Sequence, residues 1–472
     1  MAEKKSFYIT TTLPYVNAEP HIGHAMEFIR ADVIARWKKL AGHEVFFSTG
    51  TDEHGQKIWQ KAVEVGKDTQ EYVDEYAEKF ESLLPALGIS SDIHFIRTTN
   101  EKHIKAAQEF WKRCNDAGDI YKKQYKVKYC VGCELEKTDS EIENGHCIIH
   151  PHLELEIREE ENYFFKFSKY QRPLLNLYES HTDFVIPSSR FNEIRSFVER
   201  GLDDFSISRL KSKMPWGIPV PEDDGHVMYV WFDALVSYIS TLGWPEEGNF
   251  EKFWVNGTPT QYAGKDNLRQ QSAMWQAMLM SAGLPNSEQI IINGFINSGG
   301  QKMSKSLGNV ISPTEVVEKY GIESLRYFVC RELSTFEDSD FSWERINDIY
   351  NGNLANGLGN LVARILKLAE TYLTGPVVLH HKSHSTIDKL LSQFEIQKAM
   401  NHIWGEIAGL DVFIQAEKPW ETKDKEVIAD LVNSLGHIAN SLQPFMPETS
   451  AHIIKAIEEN KMPPSLFPRK DA

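Results

Sequence analysis

The sequence predicts an α/β protein with a doubly wound parallel sheet of the Rossmann type, an inserted cysteine-rich domain and a C-terminal α-helical bundle. Short β-rich runs alternate with helical patterns along the first segment of the chain, which is typical of such a sheet. A stretch with three closely spaced cysteines then interrupts the alternation. From Ile346 onward the chain has long helical periodicity and few strand signals, which favours a bundle of helices.

The predicted elements follow in chain order. Before the insertion, strands are predicted at 7–12, 45–48 and 94–97, and helices at 22–40, 56–65 and 69–87. After it, strands are predicted at 226–232 and 289–295. These changes divide the chain into a first half of the sheet domain (1–115), an inserted connective domain (116–217), a second half (218–300), a loop with a connecting domain (301–345) and a helical domain (346–472).

Composition and charge limit the classes of function. With 472 residues, 41% hydrophobic and 25% charged, the chain is long enough for several domains with substantial cores. No apolar stretch follows Met1, and no window approaches about 18 uninterrupted apolar residues. Neither a signal peptide nor a membrane span is therefore predicted, and the cytoplasm is the expected location. The net charge of −16 disfavours long-range attraction of a polyanion, so a nucleic-acid partner requires local basic patches.

The cysteines predict a metal site. Their number is odd, five, and three of them lie within 18 positions, which argues for metal ligation in a reducing compartment rather than for disulfides. Cys130 and Cys133 form one pair with a two-residue gap, and Cys147 and His150 form another. This spacing fits a closed structural Zn²⁺ site, and thus an inserted zinc-knuckle domain. Three buried reduced cysteines are the competing interpretation. Two other histidines could supply the fourth ligand, namely His146 and His152.

Two short strings, far apart in the chain, favour a phosphate site. His21, Gly23 and His24 follow a predicted strand and open a predicted helix, and a helix N-terminus attracts anionic phosphate. Gly23 lets a nucleotide approach the backbone, and the two histidines, three apart, project from one face as donors to phosphoryl oxygens. Lys302 and Lys305 lie on a glycine-rich loop, where they could place charge beside a leaving pyrophosphate. Either string alone could be an ordinary surface segment.

With these strings the chain resembles class I aminoacyl-tRNA synthetases, and methionyl-tRNA synthetases in particular, from about Phe7 to Trp420. The resemblance implies ATP-dependent activation of L-methionine, with Mg²⁺ accompanying ATP, and transfer of the methionyl group to the 3′-terminal ribose of tRNA(Met). The implied catalytic residues are His21, His24, Lys302 and Lys305. The implied ATP-binding residues are Gly23, Gly264, Asp266, Lys302 and Lys305. Asp266 follows a predicted strand end, where an acidic side chain commonly meets a ribose hydroxyl.

The resemblance also implies a methionine pocket. A thioether has no hydrogen-bond donor, so aromatic and aliphatic side chains suit it. By resemblance, Asp52 would bind the substrate ammonium, and the side chain would be bound by Leu13, Tyr15, Trp231, Ala234, Leu235, Tyr238 and Gln271. Many family members carry histidine where this chain has Gln271, so the contact with sulfur departs from the family pattern here. Four of these residues lie in one aromatic string, Tyr229–Tyr238, for which core packing is the alternative interpretation.

The helical region carries polar residues that suit RNA. Asn356, Asn360 and Arg364 are spaced by four and share a predicted helix face, and Trp420 follows Pro419. Amides, a guanidinium and an exposed ring suit unpaired bases, although exposed polar positions and a partly buried tryptophan explain them as well. The resemblance implies that these four residues bind the CAU anticodon, which makes 346–472 an anticodon-binding domain. It also makes 301–345 the segment with the KMSKS loop, and a monomer is expected.

Three other classes of protein compete with this interpretation. A cysteinyl-tRNA synthetase shares both signature strings, but its metal is expected in the amino-acid pocket rather than in an insertion. An RNA-binding scaffold without catalysis would not need the histidine and lysine strings. A small-molecule adenylylating enzyme could share the histidines but would have no use for the helical bundle.

Overall fold

The computed structural model describes residues 5–133, 135–137, 141–303, 308–379 and 385–470. The chain forms two compact units, each built from three chain segments. The first unit consists of Met1–Glu19, Glu44–Ser82 and Asp92–Ile292, and the second consists of Pro20–His43, Leu83–Ser91 and Asn293–Ala472. The five-part division of the chain stays a prediction.

A six-stranded sheet organises the first unit. From one edge to the other, its strands are Val185–Ile186, Gln289–Asn293, Thr258–Gly264, Ser6–Thr11, Glu44–Thr51 and His94–Arg97. Ser6–Thr11 pairs in parallel with Thr258–Gly264 on one side and with Glu44–Thr51 on the other. The predicted parallel sheet is thus confirmed. The strand order reverses at Ser6–Thr11, and doubly wound sheets bind ligands beside the carboxyl ends of the strands at such a reversal.

The strands are buried because helices and loops cover both faces of a parallel sheet. Ser6–Thr11 is buried along all but its first residue. Tyr8 is fully buried, and its hydroxyl donates to the carbonyl oxygen of Tyr238 at 2.9 Å. Phe110 stacks on Trp275 with ring centroids 5.5 Å apart. Each such buried side chain contributes about 1.5–3 kcal/mol, so this aromatic core stabilises the sheet.

The first unit also contains helices and short turns, which connect the strands along the chain. Its helices are Gln56–Glu64, Thr69–Ala86 (which ends in the second unit), Glu101–Asp116, Gln171–Ser180, Ser188–Glu199, Val230–Ser240 and Trp275–Ser281. Its short 3₁₀ and π turns are Phe167–Tyr170, Glu251–Val255, Lys265–Asn267 and Gln270–Met274.

Besides the helices Gln171–Ser180 and Ser188–Glu199, the inserted region and the residues that follow it contain antiparallel strands. A long ribbon pairs Ile120–Cys130 with Glu156–Phe165, and its sheet is completed by Leu135–Glu136 and Phe205–Ser206. One small sheet contains the strands Ile142–Glu143, His146–Cys147 and His150–Glu154. A second small sheet contains the strands Ser208–Leu210, Asp223–Met228 and Pro219–Val220. The ribbon ends at Cys130, and so presents the first cysteine pair at its tip.

The strand predicted at 226–232 is wrong in its second half. The strand Asp223–Met228 ends before this point, and Val230–Ser240 is a helix with all but one of its eleven residues buried. The apolar run at 227–232 crosses the junction between this strand and this helix, and the start of a helix that is covered on nearly every side reads like a buried strand. The aromatic string therefore lies on a helix.

The second unit is mainly helical, which confirms the predicted C-terminal helices. Its helices are Ile22–Leu40, Pro313–Tyr320, Ile322–Tyr327, Trp343–Ile349, Asn360–Tyr372, Ser385–Ser392, Ile396–Glu417, Pro419–Thr422, Lys425–Leu442 and Pro447–Glu458. π-Helical turns occupy Phe328–Glu332 and Tyr350–Gly359. A three-stranded sheet contains Gln301–Lys302, Ile296–Ser298 and Ser339–Phe341. None of the helices in the described part of the chain has the length and apolarity needed to cross a membrane.

Two buried arginines fix the helix Ile22–Leu40 within the second unit. Arg30 donates to the Asn293 side chain at 3.1 Å and to the carbonyl oxygen of Ser334 at 2.8 Å. Arg326 donates to Asp32 at 2.8 Å and to the carbonyl oxygen of Phe445 at 2.7 Å. Burial acts to raise the pKa of Asp32, but Arg326, Arg36 and the hydrogen bond from Ser90 together outweigh it and hold that pKa below its usual value. Because buried charges need partners, these contacts hold the middle of the helix against the rest of the second unit.

Candidate functional site

The helix Ile22–Leu40 begins with a reciprocal capping arrangement made by the two histidines. The Nδ1 atom of His21 accepts from the backbone N–H of Gly23 at 3.1 Å, and the Nδ1 atom of His24 accepts from the backbone N–H of His21 at 3.1 Å. The two rings stack with their centroids 3.8 Å apart. Imidazoles thus take the place of the serine and glutamate that usually cap a helix in this way.

This arrangement determines the protonation of both rings. A neutral imidazole has one donor and one acceptor nitrogen, so acceptance at Nδ1 puts the proton of His21 and of His24 on Nε2. Burial, followed by the nearby His21, lowers the pKa of His24 well below its ordinary value, which keeps the ring neutral at pH 7. The helix start therefore carries two oriented Nε2–H donors, at the end where the helix dipole attracts anions.

Gly23 has a steric role in this cap. A Cβ at this position would lie 2.9 Å from the Cε1 and Nδ1 atoms of His21, which is closer than van der Waals contact permits. Any side chain at Gly23 would therefore displace the ring of His21.

The second string that the sequence predicts to bind phosphate lies in the same unit. Asn297 pairs with Lys302 in an antiparallel hairpin, and its turn consists of Gly299 and Gly300 with φ of +62° and +73°. Only glycine takes two such values easily, as in a type I′ turn. The structure thus places Lys302 on a short strand that follows a tight turn, whereas Lys305 lies outside the described residues.

Three of the predicted methionine-pocket residues lie at the strand-order reversal in the first unit. Leu13 and Tyr15 follow the strand Ser6–Thr11, and Asp52 follows Glu44–Thr51. Tyr15 and Asp52 form a parallel bridge that extends the two strands. These residues therefore occupy the edge of the sheet where a ligand of a doubly wound fold is expected.

Glu53 anchors the loop that carries Asp52, and sequence reasoning missed it. Its buried carboxylate accepts from Arg97 Nε at 2.7 Å and from Thr51 Oγ1 at 2.6 Å, and its carbonyl oxygen accepts from Trp216 Nε1 at 2.6 Å. The available signal was a second acidic residue within the string Thr51-Asp52-Glu53-His54-Gly55.

The helix Val230–Ser240 supplies the other aromatic and aliphatic candidates. Trp231, Ala234, Leu235 and Tyr238 lie three, four and seven residues apart, which puts them on one helix face. The same helix carries Asp233, whose Oδ2 lies 3.1 Å from His54 Nδ1. Burial raises the pKa of this carboxyl, and the nearby His54 opposes the effect. Sequence reasoning missed this buried pair, which joins the helix to the segment after Asp52.

The residues after the strand Thr258–Gly264 complete the candidate site of the first unit. Gly264 ends the strand, and the exposed Asp266 lies on the 3₁₀ turn Lys265–Asn267. Gln271 is buried, with 1% of its surface exposed. It is hydrogen-bonded to Gln261 and to the hydroxyl of Tyr238, so the structure joins two of the predicted pocket residues directly.

The four predicted zinc ligands converge. The sulfur atoms of Cys130, Cys133 and Cys147 and one ring nitrogen of His150 all lie within 4.8 Å of one another. His150 Nδ1 lies 3.8 Å from Cys130 Sγ and 3.1 Å from Cys133 Sγ. By contrast, His146 Nδ1 lies against the carbonyl oxygen of Asn144. Three sulfurs and one nitrogen in this arrangement match the donor set of a structural Zn²⁺ site.

In the helical region, Arg364 and Trp420 line one cavity. Its volume is about 450 Å³, and it is lined by Ala363, Arg364, Lys367, Leu368, Thr371, Tyr372, Ile414 and Trp420. The guanidinium of Arg364 lies 5.9 Å from the centroid of Trp420 and donates to Asp411 at 2.7 Å. Asn356, in contrast, accepts from Arg469 at 2.9 Å, and Asn360 is exposed on the surface. The structure therefore brings together two of the four predicted residues.

Comparison with known proteins identifies the family. The model described as tRNA synthetases class I (M) matches residues 7–150 and 132–366. The chain belongs to the class I methionyl-tRNA synthetases. It is 41% identical to the methionine–tRNA ligase of Thermotoga maritima, over 97% of this chain and 76% of that one. The ligase of Thermosynechococcus vestitus is 42% identical, over 95% of this chain and 89% of its own.

Solved methionyl-tRNA synthetases share the fold. The Mycobacterium tuberculosis enzyme in complex with methionyl-adenylate matches with a TM-score of 0.91 at 34% identity, over 98% of this chain and 100% of that chain. The free form of the same enzyme matches with a TM-score of 0.84 at 31% identity, over 100% of this chain and 99% of that chain.

Proposed function

We propose that this chain is a methionine–tRNA ligase that joins L-methionine to tRNA(Met) at the expense of ATP. The proposal is carried by the match over 98% of the chain to a synthetase solved with methionyl-adenylate. In the first step, the methionine carboxylate attacks the α-phosphorus of Mg-ATP, and the bond to pyrophosphate breaks. In the second step, the terminal ribose hydroxyl of tRNA attacks the carbonyl carbon of the adenylate, and AMP leaves.

The first step depends on the position of the reactants and on charge stabilisation. The carboxylate is already ionised at neutral pH, so no strong base is needed, and the negative charge of the pyrophosphate has to be stabilised as it leaves. We assign this role to His21 and His24, whose Nε2–H groups are oriented by the helix cap, and to Lys302 and Lys305. Mg²⁺ enters bound to ATP, as part of the substrate, and neutralises phosphate oxygens.

The first unit would bind methionine and the nucleoside. The Asp52 carboxylate would accept hydrogen bonds from the substrate ammonium, and Asp266, with Gly264, would bind the ribose. The thioether side chain would lie against an apolar surface that leaves little room for water. Its residues would be Leu13, Tyr15, Trp231, Ala234, Leu235, Tyr238 and Gln271.

Zn²⁺ would be structural. Cys130, Cys133, Cys147 and His150 would fill all four positions of a tetrahedral ion, which leaves none for a substrate. The bound metal supplies a cross-link for a knob of short strands that has little core of its own. Its position among the inserted strands, rather than at the edge of the parallel sheet, is what a methionine enzyme requires and a cysteine enzyme would not.

The cavity beside Trp420 would receive a base of the anticodon. An exposed tryptophan ring stacks on unpaired bases, and the guanidinium of Arg364 can donate to a base edge. Asn356 and Asn360 would contact neighbouring nucleotides of the CAU triplet. For such an enzyme we expect a monomer in the cytoplasm.

The proposal is tested by ATP–pyrophosphate exchange with each of the standard amino acids in turn. Methionine should support the fastest exchange, and His24→Ala should reduce it by about 10²- to 10³-fold, because one oriented donor to the leaving group is lost. The matched control is His402→Ala, which removes a histidine that is 40% exposed on the helix Ile396–Glu417 and should leave exchange unchanged. Faster exchange with cysteine, or with any amino acid other than methionine, would refute the assignment.

A further inference from the structure

The hairpin that contains Lys302 lies against a third strand. Its two strands are Ile296–Ser298 and Gln301–Lys302, which pair in the antiparallel sense. On its other edge, Ile296–Ser298 pairs in parallel with Ser339–Phe341. All of these residues belong to the second unit. The third strand is therefore in a position to fix the hairpin from outside.

The tip of the hairpin is bound by the side chain of Asp340. In a two-residue hairpin turn the flanking residues, here Ser298 and Gln301, pair with each other, so the N–H of the second turn residue needs another acceptor. That N–H belongs to Gly300, and it donates to Asp340 Oδ1 at 2.9 Å. A hydrogen bond to a carboxylate is stronger than one to a neutral acceptor, so Asp340 holds the turn against the third strand.

The base of the hairpin is fixed by the residues that precede Asp340. The backbone N–H of Phe295 donates to Asp338 Oδ1 at 2.9 Å, and the backbone N–H of Ser339 donates to the carbonyl oxygen of Phe295 at 2.9 Å. A Cβ at Gly294 would lie 2.1 Å from the carbonyl oxygen of Glu337, so these backbones approach more closely than a side chain would allow. Because the base is fixed, the direction of the hairpin depends on the contact at its tip.

Asp340 is in turn anchored through its backbone. The guanidinium of Arg345 donates to the carbonyl oxygen of Asp340 at 3.1 Å and also donates to the carbonyl oxygen of Glu332. Arg345 lies on the helix Trp343–Ile349, and its own N–H donates to the hydroxyl of Ser342, which caps that helix. The carboxylate that binds the turn thus extends from a backbone that is itself held in place.

We infer that Asp340 is a positioning residue for adenylate formation, which fixes the glycine turn and thereby places Lys302 for the leaving pyrophosphate. The inference rests on the proposed function, which assigns Lys302 to this charge. A cation lowers the barrier most when it is in place before the charge develops, so a hairpin that could swing would slow this step without weakening the binding of methionine. What the turn requires from residue 340 is a hydrogen-bond acceptor, and an uncharged amide also supplies one.

The test measures kcat and KM in ATP–pyrophosphate exchange for Asp340→Ala and Asp340→Asn. Asp340→Ala removes the acceptor, and kcat should fall about 10- to 100-fold, because a displacement of about 1 Å costs up to about 10²-fold. The KM for methionine should stay within about twofold of the parent, since the interaction acts only in the transition state. Asp340→Asn keeps an acceptor oxygen, so its kcat should stay within about threefold of the parent. Equal losses in the two variants would show that the negative charge is what counts, for instance in binding Mg²⁺, and would overturn the inference.

A double-mutant comparison separates positioning from a general loss of structure. In Lys302→Ala the group that Asp340 positions is already gone, so adding Asp340→Ala should lower kcat by a smaller factor than it does in the parent. The same factor in both backgrounds, or an unchanged kcat in Asp340→Ala alone, overturns the inference. Asp340→Val also lacks an acceptor and suits a strand, so it replaces Asp340→Ala if that variant does not fold.

The matched control is Asp348→Ala. Asp348 is an exposed aspartate on the helix Trp343–Ile349, eight residues after Asp340, and its removal should leave kcat and KM unchanged. Absence of methionine-dependent exchange in the parent chain would overturn the proposed function instead, whereas normal exchange in the parent together with full activity of Asp340→Ala would overturn only the role of Asp340.

Discussion

Gly23→Ala should separate activity from stability. In the structure, a Cβ at this position lies 2.9 Å from two atoms of the His21 ring. A side-chain ring can rotate away at little cost to the fold, so we expect the ring to turn and its bond with the Gly23 N–H to break. The helix Ile22–Leu40 should persist, because alanine is favoured over glycine in a helix by about 1 kcal/mol.

The expected loss of activity follows from the role of the displaced ring. One oriented donor to the developing pyrophosphate charge is worth about 2.7–4 kcal/mol, so kcat for pyrophosphate exchange should fall about 10²- to 10³-fold. Thermal unfolding, followed by circular dichroism, should show a Tm equal to that of the parent or slightly higher.

The matched control is Gly405→Ala. Gly405 lies within the helix Ile396–Glu417 and has open space where a Cβ would be added. This variant should gain about 0.5–1 kcal/mol of stability with unchanged kcat. If Gly23→Ala exchanges pyrophosphate at the parent rate, the orientation of His21 by the helix cap is not what stabilises the leaving group.

Four other changes have defined outcomes. Trp420→Ala should lower kcat/KM for tRNA charging by the equivalent of about 1–3 kcal/mol, the value of stacking one base, while ATP–pyrophosphate exchange stays nearly intact. Equal losses in both assays would contradict the role of Trp420 in binding the anticodon. Zinc analysis by plasma emission should find one ion per chain in the parent and in His146→Ala, but little zinc in His150→Ala. Zinc lost from His146→Ala and kept by His150→Ala would show that His146 is the fourth ligand instead. Arg326→Leu leaves Asp32 buried without its main partner and should lower the free energy of unfolding, measured in urea, by about 3–5 kcal/mol. A loss below about 1 kcal/mol would show that this ion pair does not stabilise the fold. Homocysteine lacks one methyl group, a difference worth only about 1–3 kcal/mol, so it should support measurable exchange, and none at all would argue against an apolar pocket.

Local patterns in the sequence were sufficient to predict several helices and strands and the four candidate metal ligands. The helix Ile22–Leu40 and the strand His94–Arg97 have the predicted bounds, and the paired two-residue gaps led to four ligands that converge. In both cases the interacting residues are close in sequence, so a short window contains the information.

The particular atoms that side chains contact could not be predicted in this way. The spacing of His21 and His24 indicates a shared face, but not that their Nδ1 atoms accept from the backbone N–H groups of Gly23 and His21. Nothing in the sequence near Gln271 points to its hydrogen bond with Gln261, which lies on the strand Thr258–Gly264. The helix Val230–Ser240 was predicted in part as a strand because its covering on all sides is a property of the whole fold.

The two buried charges of the helix Ile22–Leu40 have a consequence for synthesis on the ribosome. The partner of Asp32 lies 294 residues further along the chain, and the last carbonyl that accepts from Arg326 belongs to Phe445. This early helix therefore emerges long before Asn293 and Ser334, which accept from Arg30, and long before Arg326, while only the nearby Arg36 and Ser90 can contact Asp32 in the meantime. We expect it to remain solvated during most of translation and to dock late, so that maturation of the histidine pair is among the final events of folding.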